Sequence, residues 1–185
     1  MALEIERRFL VRGVQWRGHV LRQTTIRQGY LVTEAQGLTL RVRLARPLQG
    51  AETATLTLKA PVPRQQAAAA AAPAGQPLAR LEFEYPIPTA DGEDLLALGD
   101  HRLIKTRYDL DLAGGDWVLD VFGGVNAPLV VAEVELDRVD CPVHPPVWCV
   151  QDITGRRDLS NAALARRPLS DWPEEARQAL LAEVS

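Results

Sequence analysis

The sequence predicts a mainly β protein whose strands pair antiparallel. Eight segments of the 185-residue chain alternate apolar and polar side chains with a period of two, which is typical of strands with two unlike faces. Strand and helix patterns do not alternate along the chain, so a parallel sheet with crossover helices is not expected. Gly114-Gly115 separates two of the alternating segments and indicates a hairpin. The length predicts one domain over residues 1–185.

The predicted strands follow one another with mostly short polar or glycine-containing connections. The alternation places them near residues 3–11, 22–31, 39–45, 53–60, 79–86, 101–112, 116–122 and 130–136. Residues 61–77 consist largely of alanine, proline and glutamine and carry no large apolar side chain beyond Val62. This segment is predicted to be a mobile loop within the domain, between the fourth and fifth strands.

Three short helices are predicted outside the strands. The first covers residues 91–98, with Asp91 as its N-cap. The second runs from Ser160 to Arg166. The third runs from Pro173 to Val184, where Ser170 or Asp171 can cap the first turn and proline suits its start.

Charge and cysteine content exclude several classes of partner and setting. The 21 basic and 24 acidic residues give a net charge of -3, which argues against a nucleic acid or an anionic membrane held by bulk charge. No apolar run reaches the ~18 residues of a membrane span, and the first residues lack the apolar stretch of a secretory signal. Cys141 and Cys149 are the only cysteines, so a reducing, cytoplasmic setting is expected.

Like charges recur two residues apart, and such residues share one face of a strand. The pairs are Glu4/Glu6, Arg41/Arg43, Glu82/Glu84, Lys105/Arg107 and Glu133/Glu135. One interpretation is a sheet with one buried and one solvated face. The other is a closed barrel of about eight strands with the charged face inward. Because like charges repel, the second interpretation makes sense if the cations bind a polyanion and the carboxylates hold divalent cations.

The strand motifs resemble those of one family. The opening LEIERRFLV is similar to the E-x-E-x-K signature strand of the CYTH domain, the triphosphate tunnel metalloenzyme family. The motifs IRQGYL, RVR, LTLK, KTRY, LDVF and VAEVEL follow in the family's order and spacing, at residues 26–31, 41–43, 56–59, 105–108, 119–122 and 131–136.

The resemblance implies a closed eight-stranded antiparallel β-barrel, with a few peripheral helices and a tunnel that binds a triphosphate. It implies an enzyme that depends on Mg²⁺ or Mn²⁺ and resembles the short bacterial members, which hydrolyse inorganic tripolyphosphate to pyrophosphate and phosphate. A nucleotide or thiamine triphosphatase and an adenylate cyclase of the same family remain alternatives. So does a non-catalytic protein that binds polyphosphate or a nucleoside triphosphate, and a homodimer is left open.

The resemblance also implies roles for individual residues. The metal-holding carboxylates are Glu4, Glu6, Asp120, Glu133 and Glu135. The substrate-binding cations are Arg8, Arg41, Arg43, Lys59, Arg80, Lys105 and Arg107. The catalytic residues are Glu4, Glu6, Arg8 and Tyr30.

The sequence departs from the family pattern in two places. Arg8 replaces the family lysine of the first motif. It keeps the charge and can bridge two phosphate oxygens, but it does not release a proton near neutral pH, so it is predicted to clamp the phosphate chain. Residues 152–161 replace a family segment of the form E-V-T-G-D-x-R-Y-x-N, and Leu159 stands where that segment has its aromatic residue.

Overall fold

A computed structural model describes residues 3–62 and 78–184, and its strands all pair antiparallel. The strands in this part of the chain are β1 Leu3–Val11, β2 Val20–Thr33, β3 Thr39–Pro47, β4 Thr53–Pro61, β5 Leu78–Ile87, β6 His101–Leu110, β7 Asp116–Phe122, β8 Val130–Glu135 and β9 Cys149–Asp152. The eight predicted strands are confirmed. The short strand β9 was not predicted, because the proline-containing segment around it shows no alternation.

Eight of the strands close into a barrel. They pair in the order β5-β4-β3-β2-β6-β7-β8-β1, and β1 closes the ring by pairing with β5 over Leu3–Glu6. The strand β9 then pairs with the far end of β1, from Phe9 onwards. The predicted closed barrel is therefore confirmed, and the sheet with one solvated face is wrong.

The sequence predicts two particular connections between strands, a hairpin at Gly114-Gly115 and a loop over residues 61–77. The hairpin between β6 and β7 is confirmed, and both of its glycines have positive φ, 91° at Gly114 and 141° at Gly115. The predicted loop over residues 61–77 lies outside the described residues, apart from Pro61 and Val62.

The three predicted helices are confirmed as α1 Thr89–Leu98, α2 Asn161–Arg166 and α3 Glu174–Ala182. The predicted caps of two of them are wrong. Pro88 and Pro173 precede α1 and α3, and neither helix has a side-chain cap. Asp91 lies inside the first turn, because proline, whose fixed φ suits a helix start, begins the helix earlier. None of the helices in residues 3–62 and 78–184 is long and apolar enough to cross a membrane.

The apolar faces of most strands point out of the barrel and are covered by other segments, whereas Phe83 and Tyr85 on β5 stay exposed. On β3 and β4, Val42, Leu44 and Ala54 pack against Leu96 of α1. Around β1, β7 and β8, the outer face is covered by residues near Trp16 and Trp148. Burying this surface supplies the main driving force for folding, while the barrel interior keeps its charged residues.

At one end, the interior of the barrel is apolar. Residues on the inward faces of β1, β6, β7 and β8 pack there against the chain that follows β9, and the cluster includes Leu10, Leu103, Phe122, Val131, Ile153, Leu159 and Leu164. Residues 153–167, which we call the closing segment, thus fill this end. The alternation alone did not predict this apolar end, because Leu10 and Val131 share their faces with charged residues.

Candidate active site

The barrel encloses a cavity of about 770 Å³ whose lining is dominated by charge. Charged side chains from six strands line it: Glu4, Glu6, Arg8, Arg41, Arg43, Lys59, Arg80, Glu82, Glu84, Arg107, Glu133 and Glu135. Each stands on the inward face because residues two apart on a strand point to the same side. The like-charge pairs therefore meet inside the barrel rather than in solvent.

Four carboxylates gather where β1 pairs with β8. Glu6 lies directly opposite Glu135, and both line a side cavity of about 90 Å³ together with Glu4 and Glu133. Burial raises the pKa of Glu6, and the carboxylates of Glu133 and Glu4 raise it further against the attraction of Arg80. Like charges placed opposite each other destabilise a sheet, so these carboxylates need cations nearby to offset their repulsion.

Three of these carboxylates are paired with cations of the wall. Lys59 Nζ donates to Glu4 Oε1 at 2.6 Å, and Arg80 Nη2 donates to Glu6 Oε1 at 2.9 Å. Glu133 is held by Arg8 and by a second arginine, described below. Within the described ranges, no three His, Cys, Asp or Glu side chains converge closely enough to hold a metal ion. An ion bound here must therefore take carboxylates from their present partners.

The opposite wall is rich in cations. Arg41 Nη2 donates to Thr57 Oγ1 at 3.0 Å and to Glu84 Oε1 at 3.2 Å. Arg43 lies 3.8 Å from Glu84, and the Nε of each arginine is buried without an acceptor in the part of the chain that the structure describes. Burial, aided by Arg41 and Arg107, lowers the pKa of Arg43 to about 10. Both arginines share Glu84 as their nearest carboxylate, and Glu82 lies 3.6 Å from Arg41.

Tyr30 is the aromatic side chain among the described residues of the lining. It is buried, and its hydroxyl accepts a hydrogen bond from Gln28 Nε2 at 3.0 Å. Burial raises its pKa, although Arg41 and Arg43 act in the opposite direction. The phenol therefore keeps its proton near neutral pH and can donate it in a hydrogen bond.

A family model of the CYTH domain matches residues 2–153. The chain belongs to the CYTH domain family. It is similar to the inorganic triphosphatase of Acetivibrio thermocellus, with 28% identity over 94% of this chain and 100% of that protein. It is also similar to the inorganic triphosphatase of Nitrosomonas europaea, with 34% identity over 88% of this chain and 96% of that protein.

A solved structure agrees with this assignment to the CYTH family. The crystal structure of the inorganic triphosphatase NE1496 superposes with a TM-score of 0.59 at 31% sequence identity. The match covers 89% of this chain and 95% of that chain. The barrel of this chain therefore has the fold of a CYTH domain.

Two of the residues assigned from the CYTH resemblance lie on inward faces of the barrel but outside the lining of the cavity. Lys105 and Asp120 are almost completely buried and do not line the cavity. Asp120 accepts from Arg107 Nε at 2.8 Å and from Lys105 Nζ. Burial lowers the pKa of Lys105 to about 8, opposed by Asp120 and reinforced by Arg107. The other eleven assigned residues all line the cavity.

Sequence reasoning missed the contribution of the closing segment to the CYTH cavity. The cavity is also lined by Arg156, Arg157, Ser160 and Asn161, by Arg166 of α2 and by Arg167 directly after that helix. The sequence signal was the adjacent pair Arg156 and Arg157 within the segment that departs from the family pattern. The position of this segment could not be predicted, because only the folded barrel brings residues 155–167 back to its interior.

Proposed function

We propose that the protein is a divalent-metal-dependent triphosphatase that hydrolyses inorganic tripolyphosphate to pyrophosphate and phosphate. The observation that carries the proposal is that like charges gather within one cavity, carboxylates on one side and arginines on another. Glu6 faces Glu135 on one side, while Arg43 stands beside Arg41 on the other. A triphosphate with a divalent cation satisfies both sets at once. The names of the two curated relatives support the same substrate.

The donors of the acidic side fit Mg²⁺ or Mn²⁺, because both ions prefer oxygen ligands. In this proposal Glu4, Glu6, Glu133 and Glu135 hold the metal. A bound divalent ion neutralises phosphate oxygens and lowers the pKa of the water it binds. Asp120 was assigned to the metal by resemblance. Its two oxygens already accept hydrogen bonds from Arg107 and Lys105, which supports a role in orienting Arg107.

The cations act on the phosphate chain. Phosphoryl transfer asks a protein mainly to position groups and to stabilise charge, including charge on the leaving pyrophosphate. Arg43 has the looser ion pair, 3.8 Å from Glu84, whereas Arg41 has to share its guanidinium between Glu84 and the phosphate chain. Lys59 and Arg80 become available when Glu4 and Glu6 give up their present ion pairs. Arg8, Arg107 and the protonated Tyr30 hydroxyl are further donors in the lining, and contact of Arg8 with the phosphate chain stays a prediction.

The proposal extends to the setting of the protein. A small-molecule triphosphate is its partner, without a role for nucleic acid or membrane. The cysteines Cys141 and Cys149 are both free, which supports a reducing, cytoplasmic environment. A homodimer stays a prediction.

Phosphate release from tripolyphosphate, ATP and thiamine triphosphate, with Mg²⁺ or Mn²⁺, tests the proposal. Tripolyphosphate is expected to be hydrolysed fastest. Glu6→Gln is expected to lower kcat/KM by about a hundredfold or more, because it removes charge from the group that meets the metal. Glu175→Gln, an exposed site on α3, is the matched control and should leave the rate unchanged. Tight binding without phosphate release from any of the three would instead indicate a non-catalytic binding protein.

A further inference from the structure

A chain of hydrogen bonds runs from the closing segment into the charged lining. It begins at the backbone carbonyl of Leu159, which accepts from Arg8 Nη2 at 3.1 Å. Arg8 Nε donates to Glu133 Oε1 at 3.0 Å, and the second oxygen of Glu133 accepts from Arg107 Nη2 at 2.9 Å. The backbone of the closing segment is thereby joined to a carboxylate of the proposed metal site.

The same chain returns to the closing segment two residues further on. Arg107 donates to Asp120 at 2.7 and 2.8 Å, and Lys105 Nζ donates to the same carboxylate. Lys105 Nζ also donates to Asn161 Oδ1 at 3.3 Å. The turn from Leu159 to Asn161 is thus tied to the lining on both sides by buried charged groups.

Arg8 also holds the start of the closing segment through its backbone. Its amide donates to Thr154 Oγ1 at 3.0 Å, and its carbonyl accepts from the amide of Ile153 at 2.8 Å. Only 5% of the Arg8 surface is exposed, so water competes little for these bonds. One residue therefore contacts the closing segment at both its beginning and its central turn.

We propose that Arg8 is a positioning residue, which fixes the closing segment against the cavity so that Arg157 and Ser160 keep their place in its lining. Arginine suits this role because Nε and Nη2 are separate donors in one rigid plane and can serve two acceptors. The donors of a lysine share one nitrogen, so a lysine serves two acceptors only where both lie within reach of that one atom. Arg8→Lys should therefore keep the ion pair with Glu133 and lose the bond to Leu159. The effect on catalysis rests on the proposed function, whereas the effect on the closing segment does not.

Hydrogen exchange of the protein without metal or substrate tests the first part. The amide of Ala163 donates to Ser160 Oγ and that of Leu164 donates to the Ser160 carbonyl, so both report on the turn. Arg8→Lys is expected to speed exchange at these two amides by about tenfold. Arg12→Lys is the matched control, because Arg12 also donates to a C-terminal carbonyl but is exposed. It should leave both rates within about twofold of those of the original protein.

A second variant keeps the inference testable if Arg8→Lys does not fold. Asn161→Ala removes the hydrogen bond from Lys105 and should also speed exchange at the amides of Ala163 and Leu164. If both contacts restrain the same turn, the increase in exchange rate in the double variant will differ from the product of the increases in the two single variants. Unchanged exchange in Arg8→Lys, or in Asn161→Ala if only that variant folds, would overturn the proposal.

The hydrolysis assay tests the second part. Arg8→Lys is expected to change the KM for tripolyphosphate more than kcat, because it keeps the ion pair with Glu133 and loosens the part of the lining that the closing segment supplies. Equal KM values in the two proteins would overturn the positioning role even if exchange becomes faster. A protein without any hydrolysis would contradict the proposed function and leave the exchange result to decide the role of Arg8 in the fold.

Discussion

Replacing Arg43 by methionine is expected to stabilise the ligand-free protein and to weaken its binding of triphosphate. Arg43 has a carboxylate oxygen of Glu84 at 3.8 Å, and burial with Arg41 and Arg107 nearby lowers its pKa to about 10. At neutral pH the guanidinium remains charged in a place that disfavours charge. Methionine retains much of the apolar stem and removes the charge, so the unfavourable contribution disappears.

The magnitude follows from the shifted pKa. A tenfold change in a proton-binding constant corresponds to about 1.4 kcal/mol, so the lowered pKa of Arg43 sets an upper bound of about 3 kcal/mol. The side chain is 21% exposed, and solvent screening reduces the expected gain in the free energy of unfolding to about 1–2 kcal/mol. The direction of the pKa shift determines the pH range in which the charge of Arg43 destabilises the fold. Because folding lowers the pKa, the penalty is fully present below about pH 10 and disappears as the pH rises towards the value of the unfolded chain.

Urea unfolding at pH 7 in EDTA, with and without tripolyphosphate, measures both effects without hydrolysis. A ligand at a hundred times its dissociation constant stabilises the native protein by about 2.7 kcal/mol, and this increment should shrink in Arg43→Met. Arg46→Met on the same strand is the control. Its side chain is 67% exposed, so a change within about 0.5 kcal/mol is expected. A destabilised Arg43→Met that keeps the full ligand increment would refute the reasoning.

Three further predictions concern the fold and a thiol. Gly115→Ala should lower the free energy of unfolding, measured in urea, by more than about 2 kcal/mol, because φ is +141° and the new Cβ would lie 2.5 Å from the Glu135 carbonyl. The control is Gly18→Ala, which has open space around it and should change the free energy of unfolding little. Ser160→Ala removes the side-chain cap of α2 and should cost about 1 kcal/mol in the same measurement, and an unchanged midpoint would contradict this role. Burial raises the pKa of Cys149 to about 12, so iodoacetamide at pH 8 should label it far more slowly in the folded than in the unfolded protein, as read by mass spectrometry; equal rates would be inconsistent with this burial.

The strands could be predicted because each one separates its apolar and charged residues onto two faces. The like-charge pairs, such as Arg41/Arg43 and Glu133/Glu135, also predicted correctly which face points inward. The strand β9 could not be predicted in the same way. Its four residues have no alternation to read, and they form a strand only because β5 leaves the far end of β1 unpaired. That circumstance exists in the folded barrel and not in the local sequence.

The alternation predicts a face but not the partners on it. Glu4 meets Lys59 and Arg80, which come from two other strands, and Arg8 meets the carbonyl of Leu159, 151 residues along the chain. Sequence alone could not distinguish an arginine that clamps phosphate from one that ties down the closing segment, since either role needs the same inward-pointing guanidinium.

The inward face also changes character within a single strand, which no charge pattern predicts. On β1 it carries Glu4, Glu6 and Arg8 and then Leu10, which is completely buried in the cluster of the closing segment. At about 3.3 Å per residue, the charged part of this face spans roughly 13 Å before the apolar part begins. The closing segment therefore does two things at once: it buries the apolar end of the barrel interior, and it limits how far the charged lining extends. Arg8 is the last charged residue on this face and the first to contact that segment, so a change at this position should alter both the lining and the segment that closes it.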